Sequence, residues 1–108
     1  MDMRYIEIEK NLVPYRFDMG IDNELFTFEI HYNSEYDFFT VDLELDGEVL
    51  VVGEKMVYGV QLFGDVLDNR FPKTPIIPYD ESKKSQDVNW NTLSDSVFLF
   101  LYEVKGDA

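Results

Sequence analysis

Residues 24–52 alternate apolar and polar side chains, and this pattern constrains the fold more than any other feature of the sequence. A period of two places successive side chains on opposite faces of a β-strand. The inward positions of the two longest alternating segments, 25–32 and 37–45, are Phe26, Phe28, Ile30 and Tyr32, then Phe39, Val41, Leu43 and Leu45. We therefore expect two neighbouring antiparallel strands that each bury one face.

Turn chemistry predicts how these strands connect. Asp46-Gly47 lies between alternating segments, which is the strongest short signal for a hairpin, and residues 48–52 form the returning strand. Residues 33–36 are predicted to form a four-residue loop between the two longer strands. The resulting register pairs Tyr32 with Asp37, Ile30 with Phe39, Phe28 with Val41, Phe26 with Leu43, Leu45 with Glu48 and Leu43 with Leu50.

Further strands are expected at residues 5–9, 13–19, 76–77, 88–90 and 97–102. Pro14 cannot donate a ladder hydrogen bond, so its strand lies at an edge or begins there. The segment 97–102 is apolar on both faces, which favours a central strand or one that meets a partner subunit. The prediction is one all-β domain over residues 1–108. It forms a small antiparallel β-barrel or sandwich of about six to eight strands with little helix, an irregular segment at 53–75 and a mobile polar loop at 79–87.

Charge and composition exclude several classes of function. The chain has 22 acidic and 9 basic residues, a net charge of −13, and residues 1–54 hold 14 of the acids and 3 of the bases. Nucleic-acid binding needs clustered Lys and Arg, so no direct nucleic-acid binding is expected. No apolar run approaches a membrane span, so no membrane insertion is expected. The absence of Cys removes disulfides and thiolate metal sites.

The chemistry-bearing candidates lie on the predicted polar face of the two long strands. They are Glu29, His31, Asp42 and Glu44. A His beside carboxylates can bind a divalent cation or act in acid–base catalysis, which leaves a metal-dependent hydrolase as an alternative. Alternating polar residues on a solvated face give the same arrangement by default, and one His without a third strong ligand is a poor zinc or iron site. We therefore expect no metal site, no cofactor and no catalytic residues.

The run 42–47 begins like a calcium-binding loop. Gly53 occupies the position of the bidentate Glu, so the run is interpreted as a hairpin, with a calcium-stabilised structural protein left as an alternative.

Aromatic side chains on irregular backbone are candidates for protein contact. The predicted interface residues are Tyr58, Leu62, Phe63, Phe71 and Trp90, together with Phe98 and Phe100 of the last strand. The alternative for the loop aromatics is that they cover the ends of the sheets. A second alternative is a small-ligand or carbohydrate-binding β-module, with Trp90, Tyr79 and Tyr58 as stacking surfaces.

Seven collinear segments make the chain resemble the phage baseplate plug family. They are residues 4–8, 13–17, 32–43, 46–50, 53–59, 70–72 and 76–78, and the resemblance covers roughly residues 3–102. It implies a structural, non-enzymatic protein of contractile-tailed phages or prophages that helps to close the tail channel at the baseplate hub. It also implies self-association, contacts with baseplate hub or spike proteins, and a location in the virion tail baseplate after assembly in the host bacterial cytoplasm.

Overall fold

Two antiparallel sheets form the fold of residues 4–66 and 68–102, which are the residues that the computed structural model describes. The strands are β1 Tyr5–Ile6, β2 Tyr15–Ile21, β3 Glu24–Asn33, β4 Phe38–Leu45, β5 Glu48–Lys55, β6 Ile76–Tyr79 and β7 Phe98–Leu101. The four-stranded sheet has the order β2-β3-β4-β5, and the three-stranded sheet has the order β1-β7-β6. The predicted all-β class and strand number are confirmed. The sheets do not close into a barrel, so the sandwich alternative fits. Helix among these residues amounts to one 3₁₀ turn, Lys10–Leu12, and no described helix could span a membrane.

The inward faces of β3 and β4 supply the centre of the core. The six inward side chains with no exposed surface are Phe26, Phe28, Ile30, Phe39, Val41 and Leu43. The same buried cluster includes Ile76, Leu99 and Leu101 from the three-stranded sheet. Because burying one large apolar side chain stabilises a fold by about 1.5–3 kcal/mol, this cluster is the main attraction between the sheets.

The predicted register between β3 and β4 is wrong by two residues. Tyr32 pairs with Phe39, and Phe28 pairs with Leu43. The side chain of Asn33 explains the difference, because its Oδ1 accepts hydrogen bonds from the backbone N–H groups of residues 35 and 36, each at 3.0 Å. This turn moves the loop from residues 33–36 to residues 34–37. A shift by an even number leaves every side chain on its predicted face.

A β-bulge changes the pairing between β4 and β5. Leu45 pairs with Glu48 as predicted, but Leu43 pairs with Val51 instead of Leu50. Leu50 is the extra residue of the bulge, so Leu50 and Val51 both pack against the core although they are adjacent in sequence.

A second register shift lies further along the same pair of strands, between Val41 and Leu43. Gly53 has a positive φ of 79° there, which glycine adopts without steric cost. The strand then continues to Lys55, so the irregular segment begins three residues later than predicted.

The remaining strand predictions were partly right. β2 begins directly after Pro14 and is an edge strand, and β7 is the central strand of its sheet, as expected. β6 is an edge strand of the same sheet as β7. β1 is shorter than the predicted 5–9. Residues 88–90 are not a strand, because the Asn89 side chain accepts hydrogen bonds from the N–H groups of residues 91 and 92 and closes a turn.

The segment that follows β5 packs into the core. The Gly59 N–H donates to the Pro78 carbonyl at 2.8 Å, and the Leu62 N–H donates to the Ile76 carbonyl at 2.8 Å. These bonds hold the segment along the edge of β6, which buries Leu62 and Phe63.

Truncation of Phe28 tests the importance of the β3–β4 core. Phe28→Ala should lower the free energy of unfolding by about 3–5 kcal/mol, because it leaves a cavity at a fully buried position. Leu25→Ala is the matched control on the same strand, since Leu25 is 59% exposed, and it should change the free energy by less than about 0.5 kcal/mol. Urea unfolding monitored by circular dichroism measures both values, and equal losses would contradict this description of the core.

Candidate functional site

Three of the four predicted polar candidates meet on the outer face of the four-stranded sheet. The His31 Nε2 atom lies 2.9 Å from Glu29 Oε2 and 3.2 Å from Asp42 Oδ2. Glu29 and Asp42 are directly opposite each other on β3 and β4, and His31 lies two residues along β3 on the same face. The two-residue correction to the register brings about this meeting, because the predicted register placed Glu29 opposite Thr40.

The fourth candidate, Glu44, belongs to an adjoining ion pair. Arg16 of β2 donates from Nη2 to Glu44 Oε1 at 2.8 Å and from Nη1 to Glu29 Oε1 at 3.2 Å. Arg16 therefore neutralises part of the negative charge of Glu29 and Glu44. The ligand-type atoms of Glu29, His31 and Asp42 all lie within 4.8 Å of one another, so these three residues are the set that could hold a metal ion.

Burial removes four of the seven predicted interface residues from the surface. Leu62 is 3% exposed, Phe63 is 6%, Phe71 is 8% and Phe100 is 5%. Phe63 and Phe71 pack on each other with ring centroids 5.6 Å apart. Backbone pairing with β6 brings Leu62 and Phe63 against the core, and Phe71 packs on Phe63. The interface prediction is therefore corrected at Leu62, Phe63 and Phe71, which are core residues, whereas Phe100 lies on the opposite face of its sheet.

Trp90 is 36% exposed and is fixed at the end of the four-stranded sheet. Its ring lies 5.0 Å from that of Tyr32, and the backbone N–H of Trp90 donates to Asp37 Oδ1 at 3.0 Å. Tyr32 donates its hydroxyl to the same carboxylate at 2.6 Å. The hydrogen bond from the Tyr32 hydroxyl is the main cause of a pKa of Asp37 below its ordinary value, and the bond from the backbone N–H of Trp90 is the second cause. A role for Trp90 in protein contact stays a prediction.

Tyr58 and Tyr79 stack on each other, with ring centroids 5.5 Å apart and an angle of 25° between planes. Each of these half-buried rings therefore covers one face of the other ring. Among the described rings, Trp90 contacts Tyr32 and Phe39, not Tyr58 or Tyr79. The structure does not join the three rings into one stacking platform, so nothing in it favours the carbohydrate-binding alternative.

The three-stranded sheet carries a second set of aromatic side chains on the face opposite the core. This outer aromatic face consists of Tyr5, Ile77, Tyr79, Phe98 and Phe100, which are cross-strand neighbours through the pairs Tyr5–Phe100, Ile77–Phe100 and Tyr79–Phe98. The Tyr5 ring lies 4.9 Å from Phe98 and 5.9 Å from Phe100. Tyr5 is 45% exposed, and Ile77, Tyr79 and Phe98 are partly exposed.

The sequence interpretation assigned only two of these five residues to an interface. Phe98 and Phe100 were among the predicted interface residues, because residues 97–102 are apolar on both faces. Tyr5 and Ile77 were missed, because Tyr5 lies on the polar face of the predicted strand 5–9 and Ile77 lies in the short segment 76–77, which has no alternation. The face is defined by the strands that pair with β7, and sequence periodicity does not predict which strands pair.

A depression of about 350 Å³ borders the outer aromatic face. Phe98 and Phe100 line one side, and the other side is lined by Asp80, Glu81, Ser82, Lys84, Asp95 and Ser96. The rim therefore has three carboxylates and one amine, which gives it a net negative charge.

Asp80 holds the backbone of this rim. Its side chain is 1% exposed and accepts hydrogen bonds from the Ser82 N–H at 2.8 Å, the Ser82 hydroxyl at 2.5 Å, the Lys84 N–H at 3.0 Å and the Ser85 N–H at 2.8 Å. The pKa of Asp80 lies below its ordinary value, and the hydrogen bond from the Ser82 hydroxyl is the main cause. The backbone N–H donors add to this effect, and together these bonds outweigh the opposing effect of burial. The backbone of residues 82–85, within the predicted mobile loop 79–87, is therefore hydrogen-bonded to the buried carboxylate of Asp80.

Comparison with known proteins identifies the family. The family model described as "Cyanophage baseplate Pam3 plug gp18" matches residues 3–104. The chain belongs to this phage baseplate plug family. The resemblance drawn from the seven sequence segments is thereby confirmed, and baseplate membership supports a location in the tail of the virion. No curated protein matches the chain.

The plug family is a structural one, which agrees with the non-enzymatic interpretation of the sequence. It does not assign a role to the cluster of Glu29, His31 and Asp42 or to the outer aromatic face. These two sites therefore have to be interpreted from their own geometry.

Replacement of Asp80 tests the rim loop. Asp80→Asn should lower the melting temperature at pH 7 by about 5–10 °C, because the amide nitrogen cannot accept the N–H bonds that the second carboxylate oxygen accepts. The folded-state pKa of Asp80 is lowered, so the stability due to its charge is present above about pH 4 and is lost as the pH falls through the folded pKa. The difference between wild type and variant should therefore shrink towards pH 3. Asp95→Asn, on the exposed side of the same rim, is the control. A difference in melting temperature between wild type and Asp80→Asn that is equal at pH 7 and pH 3 would contradict the role of the Asp80 charge in holding this loop.

Proposed function

We propose that the chain is a plug subunit that closes the tail channel at the baseplate hub and acts through protein contact without chemistry. The observation that carries this proposal is the match of residues 3–104 to the baseplate plug family. The compact two-sheet fold is consistent with it, because a small rigid domain can block a channel without a moving part.

The outer aromatic face is the contact surface that fits this function best. Tyr and Phe are enriched in the centres of protein interfaces, where they bury large areas at low cost in side-chain entropy. Tyr5, Phe98 and Tyr79 are partly exposed on one continuous sheet face, and the depression beside them offers a socket for a partner side chain. We expect the baseplate hub or spike protein to dock on this face.

The opposite side of the molecule suits a position beside DNA. The outer face of the four-stranded sheet carries Glu29, Asp42 and Glu44, and the whole chain has a net charge of −13. A surface of this sign repels phosphate, so DNA would pass it without binding. In this proposal, the aromatic face holds the plug in the baseplate and the acidic face keeps the DNA from adhering.

Self-association is a further part of the proposal. The same aromatic face could join two copies before the hub protein is present, because like faces of a sheet can form a two-fold contact. The absence of Cys suits assembly in the reducing host cytoplasm. Light scattering of the isolated protein measures this association separately from hub binding.

Two substitutions on the outer aromatic face test the docking surface. Tyr5→Ser and Phe98→Ser should each weaken binding to the hub or spike protein of the same phage by about tenfold or more, because each removes a partly exposed aromatic anchor. Co-expression followed by pull-down identifies the partner, and titration calorimetry measures the affinity.

Leu25→Ser is the matched control, since Leu25 is 59% exposed on the four-stranded sheet and lies away from this face. Far-UV circular dichroism should show that all three variants are folded. Affinities that are unchanged in folded Tyr5→Ser and Phe98→Ser would reject the face, whereas a wild-type protein that binds neither hub nor spike protein would reject the plug function itself.

A further inference from the structure

We propose that Glu29, His31 and Asp42 form a binding site for one divalent transition-metal ion of the zinc class. The proposal is independent of the plug function, because it rests on the geometry of the outer face of β3 and β4. It also revises the expectation from the sequence, which rejected a metal site because a third strong ligand was lacking.

Two of the three separations between ligand atoms match those around a bound ion, and the third lies within 4.8 Å. Zinc–ligand bonds to His nitrogen and carboxylate oxygen are about 2.0–2.2 Å long, so two ligands lie about 3.0 Å apart at right angles and about 3.4 Å apart in a tetrahedron. The His31 Nε2 atom lies 2.9 Å from Glu29 Oε2 and 3.2 Å from Asp42 Oδ2. An ion could therefore replace these two contacts with only a small movement of side chains.

The other oxygen of each carboxylate is already held by a separate donor. Glu29 Oε1 accepts from Arg16 at 3.2 Å, and Asp42 Oδ1 accepts from the Gly53 N–H at 2.8 Å. Both donors lie on other strands, β2 and β5, and both leave the second oxygen directed towards His31. Donors of this kind orient metal ligands and raise the affinity of a site.

The donor set selects the class of ion. An imidazole nitrogen favours zinc and its neighbours in the first transition row, whereas calcium and magnesium prefer sites made only of oxygen. The side chains of Glu29, His31 and Asp42 are 29%, 40% and 18% exposed, so an ion can enter and keep water in its remaining positions. Glu29, Asp42 and Glu44 carry three negative charges on this face and Arg16 neutralises one, which leaves two to balance a divalent ion.

A bound ion would connect β3 to β4 on the side that faces away from the core. The consequence is a more stable native state, because a ligand that binds only the folded protein raises its stability by mass action. The site would thus act as a cross-strand staple on the acidic face.

Zinc titration of the full chain without a His tag tests the site. His31 is the only histidine, so its side-chain ¹⁵N signals are assigned without mutagenesis. We expect saturable binding of one Zn²⁺ per chain, a shift of the His31 Nε2 signal, and a melting temperature raised by about 10–12 °C when free zinc exceeds the dissociation constant a hundredfold.

Matched variants separate this site from general attraction to an acidic protein. His31→Gln and Asp42→Asn should each weaken zinc binding by at least about tenfold, and Glu35→Gln, an exposed acid outside the cluster, should leave it unchanged. Zinc affinity that is equal in wild type and folded His31→Gln would overturn the proposal. Equal binding of Mg²⁺ and Zn²⁺ to the wild type would also overturn it, because the ions would then be gathered by net charge alone.

Discussion

The inward alternation of β3 and β4 is the constraint on which the rest of the structure depends. It buries six large side chains completely and connects the four-stranded sheet to β6 and β7 of the other sheet. The same period of two that fills the core places Glu29, His31, Asp42 and Glu44 outward on one face. The acidic face, with its candidate metal ligands, is therefore a direct consequence of the pattern that makes the core.

Carboxylates have a structural role that the net charge of −13 conceals. Asp22 accepts hydrogen bonds from the Lys73 and Thr74 backbone N–H groups at 2.6 and 3.0 Å, which ties the β2–β3 turn to the segment before β6. Asp37 holds the N–H of Trp90, and Asp80 holds three N–H groups of the following loop. Charge-assisted hydrogen bonds of this kind are among the stronger ones in proteins, so part of the acidity fixes loops to sheets.

Sequence periodicity predicted which side chains are inside, but not how the strands align. The faces of β3 and β4 were right because a period of two determines them, whereas the register depended on the side-chain hydrogen bonds of Asn33. The sequence left open whether the aromatic side chains of the irregular segment cover the sheets or meet a partner, because their burial results from backbone bonds to β6 more than ten residues away. The sequence placed His31 beside Glu29 and near Asp42 on one polar face, whereas the direct pairing of Glu29 with Asp42 required the true register. The outer aromatic face likewise required the pairing of β1 with β7.

The two surfaces divide the molecule by chemistry. One sheet turns acids outward, and the other turns aromatic rings outward. In the proposed function, the aromatic side contacts protein and the acidic side repels phosphate. Cryo-electron microscopy of the assembled tail baseplate tests this division most directly. The account predicts density for the chain on the tail axis, with Tyr5, Phe98 and Tyr79 in van der Waals contact with a neighbouring baseplate protein or a second copy. A chain that lies off the axis, or one whose outer aromatic face is open to solvent while the acidic face makes the contacts, would contradict it.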